Sequence, residues 1–104
     1  MTNFEYITNS GAKLSGNIDY DFTYDRLHIV LEGDGVSVSY ESEKRDDGEY
    51  VCAAIEHEGK ETVFSGKDEV DSFLDPAPGT LMEEIADAVW AAFAYLEKHE
   101  EALD

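Results

Sequence analysis

The sequence predicts an α+β domain, an antiparallel meander of four to five strands followed by a short and a long C-terminal helix packed on one face. Three observations carry that expectation. Apolar and polar residues alternate with period two through residues 3–64. Turn chemistry interrupts the alternation at Gly33-Asp34-Gly35, Asp47-Gly48 and Glu58-Gly59. Beyond Ser65 the apolar spacing lengthens to that of a helix.

The elements follow in order. Ile18, Tyr20, Phe22 and Tyr24 alternate with Asp19, Asp21 and Asp25 among the polar positions, giving a strand with one apolar face. Leu27, Ile29 and Leu31 repeat the pattern, and Val36, Val38 and Tyr40 continue it beyond the glycine-rich turn. Tyr50 to Ile55 reads as a short apolar strand holding Cys52, and Glu58-Gly59 turns the chain towards Thr62-Val63-Phe64. An earlier strand over Phe4 to Thr8 carries a weaker signal. Ser65 or Gly66 is placed to cap a short helix, with Asp68 and Glu69 at its positive end and Val70, Phe73 and Leu74 forming its apolar stripe. Pro76 and Pro78 end it. Thr80-Leu81-Met82-Glu83 matches a capping box and opens a longer helix to about residue 98. Its apolar face is Leu81, Ile85, Ala88, Val89, Ala92 and Leu96, flanked by Phe93 and Tyr95. The 104 residues form a single domain: strands over about 3–64, helices over about 66–98 and an acidic tail at 99–104.

Charge sets the class of partner. Twenty-five Asp and Glu face seven Lys and Arg, a formal net charge of −18. Such a surface repels nucleic acid and anionic membranes and speeds association with basic surfaces. The expected partner is therefore a basic nucleic-acid-binding protein or complex, with no direct contact to nucleic acid or membrane. Solvation alone is the competing account of the acidity. No apolar run approaches the roughly 18–20 residues of a membrane span, and Met1 to Glu5 lacks the basic and apolar regions of a signal peptide. Cys52 is alone, so no disulfide forms within the chain, and a reducing interior suits it. The expected location is the cytoplasm, that of the host if the protein is phage-encoded.

Catalytic patterns are missing. The sequence holds no G-x-S-x-G, no phosphate-binding glycine loop and no H-E-x-x-H. Cys52 is expected to be buried and inert, His57 to be solvated at a turn, His28 to face away from Leu27 and Ile29, and His99 to lie in the tail. No enzyme activity, cofactor or metal is expected; Asp19, Asp21 and Asp25 lack the glycine turn and distal Glu of a calcium loop.

Two features point to recognition instead. Asp19, Asp21 and Asp25 form a row of carboxylates on one strand, with same-face neighbours ~6.6 Å apart, a spacing comparable to that of charges along a nucleic-acid strand. An ordinary solvated strand face is the alternative. Trp90 lies about 150° around the helical wheel from the apolar stripe, amid Glu83, Ala86, Asp87, Ala94 and Glu97. A tryptophan so placed suits an interface anchor; packing against the N-terminal segment and a homodimer contact are the other uses. The candidate partner-binding residues are thus Asp19, Asp21, Asp25, Glu83, Asp87, Trp90 and Glu97.

Gly59-Lys60, Asp68-Glu69-Val70-Asp71-Ser72-Phe73, Pro78-Gly79-x-Leu81, Ile85 and Ala88 together resemble the second half of a small phage-encoded anti-CRISPR protein. The similar member is an inhibitor of the type I-F surveillance complex, built as an antiparallel sheet followed by two helices. The resemblance covers roughly residues 59–96. It implies an inhibitor that occupies a nucleic-acid-handling surface of a bacterial CRISPR-Cas complex, and it transfers no functional residue. The heavier acidity of this chain favours mimicry of DNA. The second expectation, from charge alone, is an immunity protein that neutralises a basic nuclease toxin.

Overall fold

The computed structural model describes residues 2–21 and 23–98; Phe22, His99 and the expected acidic tail lie outside the described residues. Among the described residues six strands run in sequence order, each antiparallel to the next: β1 Thr2–Ile7, β2 Lys13–Asp21, β3 Arg26–Gly33, β4 Val36–Arg45, β5 Gly48–His57 and β6 Lys60–Ser65. A short helix, α1 (Lys67–Phe73), and a long one, α2 (Leu81–Lys98), follow. The architecture is α+β, as expected, with six strands in place of four or five. The additional strand is the weakly signalled N-terminal segment. Only Phe4 and Tyr6 mark its inner side, but it pairs along its full length with β2.

Period two decides which side of the sheet is covered. Phe4, Leu14, Ile18, Leu27, Ile29, Leu31, Val36, Val38, Tyr40, Val51, Ala53 and Ile55 all point the same way and are buried. The helices supply the other half of this core. Val70 and Phe73 enter it from α1, and Ile85, Ala88, Val89 and Ala92 from α2. Aromatic pairs join the layers: Phe64 stacks on Phe73 at 5.2 Å, while Phe93 meets Tyr40 at 5.0 Å and Tyr95 meets Phe4 at 5.4 Å, both edge-on. Contacts place α1 over β5 and β6, and α2 over β1 and β2.

Close approach explains one glycine. Gly16 lies on the helix-facing side between Phe4 and Leu31, and a Cβ there would stand 1.8 Å from the Val30 carbonyl oxygen. No side chain fits at that position.

Four expectations about single residues need correcting. Tyr24 does not extend β2, because the strand ends at Asp21 and Tyr24 is 62% exposed in the turn that follows. Leu81 is exposed at the first residue of α2, one turn before the helix reaches the core, and Ala86 is buried rather than displayed beside Trp90. Cys52 is half-buried and points away from the core, because Val51, Ala53 and Ile55 occupy the inward positions of β5.

Candidate docking face on the open side of the sheet

The helices cover one side of the sheet and leave the other open. Its residues are the polar positions of the same strands, and the register sorts them into rows that cross the strands. Asn3, Asn17, Val30, Ser39, Ala54 and Val63 are successive partners across all six strands, an uncharged row spanning the sheet. On one side of it runs Asp19–His28–Glu41–Cys52–Ser65. On the other runs Glu5–Ser15–Glu32–Ser37–Glu56–Glu61. A neutral strip thus lies between two banks whose charged groups, apart from His28 when protonated, are carboxylates.

Local charge differs between the banks. Beyond the Asp19 row, Asp21 faces Arg26 and Arg26 faces Glu43, so a cationic strand residue separates two carboxylates. Asp19, Asp21, Arg26, His28 and Glu41 line a shallow depression of about 310 Å³. At the opposite end, Glu32, Glu56 and Glu58 line a broader hollow of about 580 Å³ with Ser15 and Ser37 and no Lys or Arg in its lining. Glu56 and Glu61 stand directly opposite each other. Like charges paired across a ladder destabilise it, so this bank carries an electrostatic cost that folding alone does not require. Among the described residues, the ion pair in this bank is that of Lys13 with Glu5 at 3.3 Å, at its β1 end.

The strip between the banks is partly apolar. Val30 is 37% and Val63 49% exposed, with the small side chains of Ser39 and Ala54 between them. Tyr50 is also exposed on this side, its ring 4.7 Å from the Arg45 guanidinium carbon. Its hydroxyl is pushed above the ordinary tyrosine value, first by the neighbouring Cys52 sulfur.

The seven candidate residues from the sequence do not form one surface. Asp19 and Asp21 stand on β2 on the open side. Asp25 leaves their row: it lies in the β2–β3 turn with φ 47°, a conformation Asp tolerates. There it accepts a hydrogen bond from the Tyr20 hydroxyl and pairs with Lys44 Nζ at 3.4 Å. The Tyr20 bond first, and Lys44 second, hold its carboxyl below the usual aspartate value. The row of three aspartates is therefore a row of two, extended across the strands by Glu41.

Trp90, Glu83, Asp87 and Glu97 belong to α2, in the layer on the opposite side of the sheet. Trp90 is 51% exposed, yet its indole N–H donates to the Leu74 carbonyl at 2.9 Å and its ring stands edge-on to Phe93 at 5.5 Å. It ties α2 to the C-terminal end of α1. Glu83 is engaged as well: its backbone N–H donates to Thr80 Oγ1, and its carboxylate accepts from the Gly79 N–H. Asp87 is half-buried and Glu97 exposed. Glu84, which the sequence did not single out, accepts the Ser10 backbone N–H at 2.8 Å and thereby fastens the β1–β2 turn to the first turn of α2. Contacts with Ser10, side chain first and backbone second, lower its pKa.

The histidines divide similarly. His28 is exposed in the Asp19 bank, away from Leu27 and Ile29. His57 is half-buried at the end of β5, 4.0 Å from Glu58. Among the described residues, no three His, Cys, Asp or Glu side chains converge as metal ligands, and no helix is long and apolar enough to cross a membrane. Comparison with known proteins finds no matching family model, no matching curated protein and no matching solved structure.

Proposed function

We propose that this protein is a binding inhibitor that lays its open sheet face on a basic, nucleic-acid-handling surface of a bacterial protein complex. The observation that carries the reading is the uncompensated bank Glu32–Glu56–Glu61 with its directly opposed pair of glutamates. Self-repulsion at that place costs stability, and a cationic partner removes the cost on docking. The net charge of −18 adds long-range steering. The resemblance of residues 59–96 to an anti-CRISPR inhibitor makes a CRISPR-Cas surveillance complex the first target class. A basic nuclease toxin is the second, since its charge demands the same complement. The uncharged strip and the cationic Arg26 favour protein-surface complementarity over a copy of a phosphate lattice.

The mechanism is occlusion. Carboxylates on both banks replace phosphates as partners for Lys and Arg in the target, and nucleic acid is excluded by volume and by charge. The test titrates the protein against target-DNA binding by a purified type I surveillance complex, and in parallel against DNA cleavage by a basic toxin nuclease. Loss of one activity near stoichiometric ratio, reversed by salt and weakened by Glu56→Gln with Glu61→Gln, is the expected result. Both activities unchanged at low salt would overturn the reading.

A further inference from the structure

We infer that the segment received by the open face is a basic amphipathic helix lying across the strands, its apolar seam on the neutral strip and its Lys and Arg on both banks. The inference rests on the proposed docking function and specifies the shape of what docks. Five inter-strand steps of about 4.8 Å make the strip roughly 24 Å long, the length of about 16 helical residues. The two banks each stand one same-face step from the strip, so they are roughly 13–14 Å apart at the backbone. A helix with its side chains is about 10–12 Å across and fits between them.

Chemistry agrees with dimensions. Val30 and Val63 offer apolar contact, and Ser39 and Ala54 leave room for larger side chains from the occupant. Carboxylates on either side, Glu41 in one bank and Glu32 and Glu56 in the other, ask for cations on both flanks of one apolar seam. That is the surface of a helix with a narrow apolar stripe. A second copy of this chain would set carboxylate banks against carboxylate banks, and nucleic acid or an anionic membrane would be repelled outright.

The full chain is tested with two labelled peptides of about 16 residues and identical composition. One places Leu along a helical seam with Lys and Arg on both flanks; the other scrambles the seam and keeps the charge. The seam peptide should bind about tenfold more tightly, gain helical circular dichroism and shift amide resonances of β3 to β6. Val30→Asn with Val63→Asn, which leaves every charge in place, should erase the difference. Equal, salt-sensitive binding of both peptides would overturn the helix and leave the basic-surface reading standing. Failure of both peptides to bind at low salt would overturn both. Self-association of the protein abolished by the Val substitutions would also overturn it, since a second copy would then own the face.

Discussion

The two sides of this sheet are made by the same strands and obey different rules. On the covered side the positions are filled by packing: Ile18, Ile29 and Val38 are fully buried beneath the helices, and Gly16 is fixed by the absence of space for one carbon. On the open side the residues are limited by charge and not by volume. The glutamates opposed across β5 and β6 show this, because nothing in the fold needs them. One side explains why the chain folds, and the other concentrates what folding leaves unexplained.

The sharpest way to break this contrast compares neighbours on β2. Gly16→Ala should cost about 3 kcal/mol, the upper range for overpacking, because its Cβ meets backbone that cannot rotate away. Asn17→Ala, one residue on and facing out, should change stability by less than about 0.5 kcal/mol. Urea denaturation measures both, and equal losses would show that the open side is also under packing constraint.

A smaller effect tests whether Trp90 belongs to the packed layer. Trp90→Phe keeps an aromatic ring near Phe93 and removes the indole N–H from the Leu74 carbonyl. The expected loss is about 1 kcal/mol, the usual worth of one such bond, read as a lower denaturation midpoint. Unchanged stability combined with loss of the proposed inhibition would move Trp90 to the partner's side.

The smallest effect concerns acid. The charged form of Glu84 is favoured in the folded state by its contacts with Ser10. Its contribution is therefore present above the ordinary glutamate pKa and is lost as pH falls through the lowered value. Glu84→Gln should melt below the parent protein at neutral pH, with the gap closing under acid. A gap independent of pH would show that the carboxylate's charge is not what holds the turn.

How much of this was legible depended on whether the signal was local. The alternation through Leu27, Ile29 and Leu31, and the Thr80–Glu83 cap, are written in short stretches of chain and appear in the structure. The neutral strip was not legible, because Val30, Ala54 and Val63 become neighbours only once register is fixed across four strands. Asp25 was misplaced because the strand ends before it, and the Tyr20 bond that holds it depends on the turn's shape. Cys52 was misread because Tyr50 to Ile55 looks uniformly apolar, although its inward positions are Val51, Ala53 and Ile55. The wheel correctly placed Trp90 off the apolar stripe, but its carbonyl acceptor comes from α1, sixteen residues away.

That acceptor gives the molecule a built-in optical reporter. Trp90 is the single tryptophan, and its indole bridges the two helices on the side of the sheet remote from the proposed face. Excited beyond the tyrosine band, its emission therefore registers whether α1 and α2 remain docked, with no second indole in the chain to add to it. An occupant seated on the open face as a rigid body leaves that emission steady, whereas one that grips the helices quenches or shifts it. One spectrum, taken with the tryptophan-free seam peptide added, distinguishes the two layers as the site of engagement.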